Sequence, residues 1–384
     1  MNLKDCHNVE DFRKLAKKKL PSPIFNYIDG GSDDEVTLKR NTDSFNKCDL
    51  IPNVLTNVSN VDLSTTIFGQ KIDFPLFLSP TSMHRLYHYE GEKAAARAAE
   101  KMGTIFSMST MATTSIEEIG NLTGGPKLFQ LYIHKDRGLT DNLIERCLRA
   151  RFHALCLTVD TVVAGNRERD HKTGFTTPPR LTLGSLLSFA THPEWSFNYL
   201  LRKKFQLSNL IHMTKKGSSI ERSVMGYINE QFDPSMNWKD AEYCVKKWGG
   251  PFALKGIMST EDAKKAIDIG ASAIMISNHG GRQLDGSRAP FDQLAEIKEA
   301  VGDKIEIILD GGVRRGTHVL KALSLGANAC SFGKGYLYAL SAGGQKGIEI
   351  ILEKMKSEIK RNMTLMGCKS VKELNKSKIA FRES

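Results

Sequence analysis

Eight short apolar or β-branched runs, spaced by helical segments, constrain this chain more than any other feature. They fall at residues 74–79 (FPLFLS), 104–109 (TIFSMS), 127–133 (KLFQLYI), 154–159 (ALCLTV), 251–257 (PFALKGI), 272–277 (SAIMIS), 305–309 (IEIIL) and 329–333 (ACSFG). Three intervening segments, 91–102, 260–270 and 317–326, are rich in Ala, Lys or Leu and end near a glycine able to cap a helix. Eight strands alternating with helices predict an α/β fold of the parallel (β/α)8 TIM-barrel type; a doubly wound open sheet is the alternative. Residues 1–70 read as a helical N-terminal extension packed on the barrel, and residues 71–384 as the barrel itself. Residues 161–250 form an insertion after strand four, far longer than the roughly 2–6 residues usual for such a connection.

A barrel of this kind gathers its chemistry at the carboxyl ends of its strands. Polar residues lie at those ends in this chain: Thr81 and Ser82, Ser109, Gln130 and Tyr132, Thr158 and Asp160, Lys255, Ser277, Asp310, and Lys334. The sixth end opens into SNHGGRQLDG, residues 277–286, which sets His279 and Arg282 on either side of two glycines. Adjacent glycines permit backbone angles closed to other residues and let a ligand or another segment come close. The seventh and eighth ends, DGGVRRG (310–316) and SFGKG (331–335), pair glycine-rich backbone with Arg314, Arg315 and Lys334. Barrels often hold a phosphate between these two loops, so a phosphate-bearing cofactor is the expectation.

Composition narrows the class. Of 384 residues, 40% are hydrophobic and 25% charged, as in a globular domain with a sizeable core. The net charge of +11 favours an anionic partner without choosing one. Seven scattered cysteines, with no CxxC and no Cys/His group at zinc spacing, suggest free thiols, a reducing compartment and no metal. The first twenty residues are charged throughout and carry no apolar signal core, and no run of 18 apolar residues occurs. A cytoplasmic protein is the expectation. No nucleic-acid-binding signature is present and the positive charge is spread along the chain, so nucleic acid is not the expected partner.

SNHGGRQLDG, DGGVRRG, LTVDT (157–161), FQLY (129–132), YIDGGSDDE (27–35) and SPT (79–81) occur in an order that resembles the FMN-dependent 2-hydroxy-acid dehydrogenase and oxidase family over nearly the whole chain. Residues 165–213 resemble the membrane-associated bacterial L-lactate and mandelate dehydrogenases more than the plant-type oxidases. The resemblance implies FMN, a small 2-hydroxy acid as substrate, a quinone or cytochrome as electron acceptor, and a homo-oligomer, a tetramer in the family. It implies His279 as the base, held by Asp160, and Arg282 as the carboxylate anchor. Those choices suit the chemistry: imidazole changes charge near neutral pH, and guanidinium grips a carboxylate through two parallel hydrogen bonds. Arg167, Tyr27 and Tyr132 would complete the substrate's polar shell. For FMN the resemblance implies Pro80, Thr81, Ser82, Ser109, Gln130, Thr158, Lys255 and Ser277 around the flavin, and Asp310, Gly311, Gly312, Arg314, Gly333 and Lys334 along the ribityl chain and phosphate.

Three positions depart from the family's usual residues. Ser82 replaces alanine or glycine beside the flavin, Lys334 replaces a common arginine, and Met111 stands where glycolate oxidases carry tryptophan. A flexible Met admits a methyl-bearing substrate such as L-lactate. The expected reaction is L-lactate to pyruvate; the alternatives are an oxidase that makes hydrogen peroxide from oxygen, another FMN barrel such as an isomerase, and a non-enzymatic basic membrane-binding protein. Within the insertion, residues 181–213 mix Leu183, Leu186, Leu187, Phe189, Trp195, Phe197, Tyr199, Leu200 and Leu201 with Arg202, Lys203 and Lys204, and Lys215 and Lys216 follow. This is either a peripheral contact with the cytoplasmic face of an inner membrane or a folded lid over the site.

Overall fold

The apolar runs form parallel strands at Leu76–Thr81, Phe106–Ser109, Lys127–Leu131, Ala154–Thr158, Phe252–Ile257, Ala273–Ser277, Glu306–Asp310 and Ala329–Phe332. Each pairs with its neighbours in sequence, and the last pairs with the first, Cys330 opposite Leu76, which closes the sheet into a barrel rather than leaving it open. The computed structural model describes residues 2–175, 182–202, 205–210 and 232–382. Helices Gly91–Lys101, Thr260–Asp268 and Gly316–Ser324 stand where the sequence places them. Each is followed by a glycine at positive φ (Gly103, Gly270 and Gly326), the left-handed backbone that ends a helix cheaply.

Side chains alternate along a strand, so every second residue points into the barrel. Near the amino-terminal ends these are apolar: Phe77, Leu128, Cys156, Ala253, Met275 and Ile308 cluster with Ile67, Phe68 and Ile72. The last three belong to the hairpin Thr65–Ile67 and Gln70–Ile72, which plugs that end of the barrel. Two residues further along the strands the inward positions turn polar, at Ser79, Gln130, Thr158, Lys255, Ser277 and Asp310, all buried. The outward set, including Leu78, Phe129, Leu155, Leu254, Ile276 and Leu309, packs against the surrounding helices in the main core.

Residues 1–70 are helical at Val9–Lys19, Ser22–Asp29 and Val36–Asp43, but they are not all helix. Cys48–Leu50 pairs antiparallel with Ile379–Phe381, tying the extension to the end of the chain, and Thr65–Ile67 enters the plug. One carboxylate fastens the second helix over the barrel mouth. Asp29 accepts hydrogen bonds from Arg13 (Nε, 2.6 Å; Nη2, 2.9 Å), Arg169 (Nη1, 2.9 Å) and the Tyr338 hydroxyl (2.8 Å). Burial opposes ionisation of Asp29, yet the Arg13 guanidinium outweighs it and holds the carboxyl below the usual range. Four segments distant in sequence therefore meet on one side chain.

In residues 161–250 the described helices are Glu168–Thr173, Leu183–Ala190, Pro193–Leu201 and Trp238–Trp248. The last occupies the place of the barrel's own helix between strands four and five, so part of the apparent insertion is barrel. Leu183, Leu186, Leu187, Phe197, Leu200 and Leu201 are exposed, while Phe189, Trp195 and Tyr199 turn inward onto the core. Leu181, Lys203, Lys204 and residues 211–213 of the segment, with Lys215 and Lys216 beyond it, lie outside the described residues. Among the described residues no helix is long and apolar enough to cross a membrane.

Replacing Asp29 with alanine leaves two arginines without their shared partner. Charged hydrogen-bond networks of this kind are worth roughly 2–4 kcal/mol, toward the lower end where the arginines are partly exposed. A urea titration of Asp29→Ala is expected to show that loss as a lowered midpoint; an unchanged midpoint would show that the second helix is held by other contacts.

Candidate active site

Nearly every residue of SNHGGRQLDG has a partner across the barrel mouth. The Ser277 hydroxyl lies 2.9 Å from Lys255 Nζ and donates to Asp310 Oδ2 at 2.7 Å. Asn278 exchanges two amide hydrogen bonds with Asn41, at 2.8 and 2.7 Å. His279, Gly280 and Gly281 follow in the left-handed region, with φ of 57°, 66° and 72°. That turn sets His279 Nδ1 2.9 Å from Asp160 Oδ1 on strand four's loop. It also brings Gly281 under Leu38, where a Cβ would sit 2.6 Å from the Leu38 nitrogen. Arg282 Nη1 donates to the carbonyls of Tyr27 (2.6 Å) and Gly30 (3.1 Å). The Gln283 amide clasps the loop after strand four through the Asp160 and Val163 carbonyls, and Asp285 accepts from Thr37 N at 2.7 Å, capping helix Val36–Asp43. The two glycines between His279 and Arg282 thus let one loop reach the barrel, its neighbouring loop and the N-terminal extension together.

At the barrel mouth Lys255 and Asp310 form a buried ion pair, Nζ to Oδ2 3.0 Å. Asp310 Oδ1 also accepts from the Ser79 hydroxyl at 2.8 Å and from that of Ser331. Burial pushes the Asp310 carboxyl up, but Lys255 and the serine hydroxyls prevail and bring it down to about 2. Burial opposes the charge on Lys255 as well, and Asp310 with Asp160 more than offsets it, so Lys255 stays protonated well above the ordinary lysine range.

The cavity over this layer is lined by sixteen of the residues expected at the site: Tyr27, Pro80, Thr81, Ser82, Ser109, Tyr132, Arg167, Lys255, His279, Arg282, Asp310, Gly311, Gly312, Arg314, Gly333 and Lys334. Asp160, Gln130, Thr158 and Ser277 stand directly behind its wall. The Tyr27 ring lies between two guanidiniums, Arg282 at 4.9 Å and Arg167 at 5.2 Å from its centroid. Arg167 is ion-paired to Asp170 at 3.0 Å, whereas Arg282 has no carboxylate partner among the described residues. Burial and then the nearby Arg167 pull the Arg282 pKa down, so an anion entering here would relieve both cations. Burial, followed by Asp160, raises the Tyr132 hydroxyl and keeps it a neutral donor.

Two features of the cavity fit FMN. Gln130 Nε2 and Thr158 Oγ1, on adjacent strands, are buried and have no hydrogen-bond partner among the described residues. Such orphans cost about 1–3 kcal/mol each, and the polar edge of a flavin offers both acceptors and an N–H to satisfy them. At the opposite end Gly311 and Gly312 have φ of 125° and 75°, and a Cβ on Gly312 would collide with the Asn41 carbonyl. Lys334 opens the long helix Lys334–Leu365, and its Nζ donates to the Asp29 and Gly30 carbonyls at 2.8 Å each. Burial, then Arg282 and Arg314, push its pKa well down, which is the mark of a cation cluster built around an anion. A phosphate at this helix start would meet backbone N–H groups and the side chains of Lys334 and Arg314.

Several supporting residues were not singled out from sequence. Ser79 and Ser331 could have been found by counting in twos from Asp310's layer along strands one and eight. Gln283 lay in plain view within the quoted stretch. Asn41 carried no local signal, because its partner lies 237 residues away, and Asp29, inside the quoted YIDGGSDDE, gave no hint of Arg169 140 residues on.

Residues 16–381 match the family model described as FMN-dependent dehydrogenase. The chain is 40% identical to an L-lactate dehydrogenase of Vibrio cholerae serotype O1 (strain M66-2), covering 97% of this chain and 98% of that protein. It is 39% identical to a glycolate oxidase of Spinacia oleracea, over 97% of this chain and 95% of that one. Its fold superposes with a TM-score of 0.94 on a crystal structure described as the monotopic membrane protein (S)-mandelate dehydrogenase, at 34% identity and covering 98% and 100% of the two chains.

Lys255→Met strips Asp310 of its buried counter-charge, for which roughly 3–5 kcal/mol of stability is expected to be lost at pH 7. In the wild type the Asp310 pKa lies near 2 when folded and about 4 when unfolded. Its contribution is therefore present above pH ~4 and disappears as pH falls from there toward 2. Without Lys255, only the serine hydroxyls oppose the effect of burial on the carboxyl, so its folded pKa rises and acid unfolding moves to higher pH. Chemical denaturation at several pH values checks this; coincident acid limbs for the two proteins would contradict it.

Proposed function

The chain belongs to the FMN-dependent dehydrogenase family, and from that premise we propose that it oxidises L-lactate to pyruvate and passes the electrons to a quinone or cytochrome at a membrane surface. The observation that carries the reading is His279 Nδ1 held 2.9 Å from Asp160, three residues from a half-buried Arg282 that lines the same cavity. FMN-dependent oxidation of a 2-hydroxy acid is the family's chemistry; the choice of acid and acceptor is the proposal. Met111 supports a small substrate, and so does Phe232, which lines the cavity edge-on to Tyr132 with ring centroids 5.6 Å apart.

In this reading Arg282 grips the substrate carboxylate through the guanidinium edge not used by Tyr27 and Gly30, with Arg167 and the hydroxyls of Tyr27 and Tyr132 around it. Asp160 fixes the His279 ring by accepting from Nδ1–H, which leaves Nε2 as the proton acceptor for the substrate. The carboxylate then stabilises the imidazolium that forms, as a buried aspartate does for a catalytic histidine. Bound FMN, held along Pro80 to Ser82, Ser109, Gln130, Thr158, Lys255 and Ser277 and by Asp310 to Arg314, Gly333 and Lys334, would supply the two-electron acceptor. Lys255 places a permanent positive charge at the floor of the cavity, where it favours negative charge on whatever is bound above it.

The membrane part of the proposal rests on the outer face of helices Leu183–Ala190 and Pro193–Leu201. Leu183, Leu200 and Leu201 are 84%, 75% and 80% exposed, an apolar surface of a kind water-facing proteins rarely leave open. Arg202 lies at its edge, stacked on Tyr89 at 4.5 Å. A surface of this kind lies in the headgroup region without spanning the bilayer. The reading places the chain at the cytoplasmic face of an inner membrane, as a homo-tetramer by family resemblance.

Adding L-lactate to the yellow holoprotein without oxygen is expected to bleach the flavin band faster than glycolate or (S)-mandelate does. His279→Gln is expected to keep its flavin while the bleaching rate falls on the order of 10²–10⁴-fold; near-normal bleaching would remove His279 from the mechanism. Changing Leu186, Leu187, Leu200 and Leu201 together to serine should shift the protein from the membrane pellet to the soluble fraction at unchanged turnover with a soluble dye. A wild-type protein already soluble at low salt would end the membrane proposal.

A further inference from the structure

A second cavity lies between the insertion and the barrel, and Tyr87 lines both it and the flavin cavity. With Tyr87, five further rings make up half of its lining: Trp195, Tyr199, Phe205, Tyr89 and His88. Trp195 and Tyr199 stack with centroids 5.0 Å apart and planes 10° from parallel, and Trp195 Nε1 is anchored to the Leu86 carbonyl at 2.7 Å. Trp195, Asn198 and Tyr199 face this cavity from the same helix whose other side exposes Phe197, Leu200 and Leu201. One helix thus joins an aromatic cavity to an apolar outer surface.

The polar groups of the cavity are unevenly distributed. Lys19, Arg85 and Asn198 bring hydrogen-bond donors, and His88, Glu194 and Ser341 are further polar side chains of the lining. His88 lies 3.5 Å from Glu90 Oε2 through Nδ1 and stacks on Tyr89 at 4.5 Å. The long C-terminal helix breaks its own geometry to admit this pair. Gly343 and Gly344 leave helical angles there, and a Cβ on Gly344 would stand 2.5 Å from His88 Cε1 and collide with Glu90. A continuous helix with ordinary side chains would fill the space that His88 and Glu90 take.

We propose that this cavity binds the headgroup of a membrane quinone, with its apolar tail leaving across Phe197, Leu200 and Leu201. A quinone ring is planar and apolar on its faces, which suits stacked aromatic walls, and its two carbonyl oxygens only accept hydrogen bonds, which suits the donors at the rim. Tyr87 lines both cavities, so a headgroup bound here would share a wall residue with the flavin cavity. The chemistry balances: the hydroxy acid gives up two electrons and two protons as it becomes the 2-oxo acid. The quinone takes two electrons and two protons and leaves as the quinol. Burial lowers the His88 pKa despite Glu90, so His88 is placed to relay a proton to a quinone oxygen rather than to store one. This site rests on the dehydrogenase reading and supplies its acceptor.

The test uses the flavin-loaded protein and ubiquinone-1 as the probe. Under anaerobic conditions L-lactate reduces the flavin, and its reoxidation is followed after mixing with ubiquinone-1 or with ferricyanide. Tyr199→Ala and Asn198→Leu are expected to slow reoxidation by ubiquinone-1 at least about tenfold, with flavin reduction by L-lactate and reoxidation by ferricyanide unchanged. Separately, ubiquinone-1 should quench tryptophan fluorescence of the oxidised protein, and Trp195→Phe should abolish that quenching. Wild-type reoxidation rates in both cavity variants, or quenching that survives Trp195→Phe, overturn the site. A wild-type protein that ubiquinone-1 neither quenches nor reoxidises overturns it as well. If L-lactate does not reduce the flavin, the substrate reading fails on its own; dithionite then prepares the reduced protein and the same comparisons still decide the cavity.

Discussion

The Lys255–Asp310 ion pair is the constraint around which the mouth of the barrel is arranged. The two residues come from strands five and seven, which are not neighbours, so the pair has to cross strand six, and Ser277 stands there as a bridge to both. Removing two charges from water is unfavourable unless every remaining hydrogen-bonding position is filled. Ser79 and Ser331 fill those on Asp310 from strands one and eight. The serines of the polar layer, Ser79, Ser277 and Ser331, are therefore arranged around one buried pair, and the flavin cavity is the space directly above it.

Above that layer the site is closed by chain from far away in sequence. Arg282 and Lys334 both donate to carbonyls at the end of helix Ser22–Asp29, and Asp29 itself gathers arginines from the first helix and from the insertion. The cations that would hold substrate and phosphate are thus positioned by backbone oxygens of the extension, which orient them without neutralising their charge. Carboxylates in those places would have satisfied the same hydrogen bonds and cancelled the field an anionic ligand needs.

Much of this was readable in the sequence, for physical reasons. Barrel strands announce themselves as short apolar runs because both faces are buried, and the eight runs fall on the eight strands within about two residues. His279 and Arg282 could be read together because the glycines between them fix a short loop. Three-residue strands such as Cys48–Leu50 are too short to show a period, so the extension read as helix alone. Helix Trp238–Trp248 was absorbed into the apparent insertion because the stretch before it carries no strand pattern. Contacts such as Asp29 with Arg169, or Asn41 with Asn278, depend on the closed barrel bringing its first and later segments together, and one sequence holds no trace of that. The second aromatic cavity is of the same sort: its walls come from residues 19 to 341 and share only a place in space.

The central claim is that this cavity transfers the electron pair of an L-2-hydroxy acid to its bound flavin. Anaerobic titration of the purified yellow protein with L-lactate, read as flavin absorbance together with pyruvate formed, tests it most directly. Complete bleaching with one pyruvate per flavin is the expected result. A flavin that stays oxidised with excess L-lactate and with other 2-hydroxy acids, yet bleaches with dithionite, would contradict it.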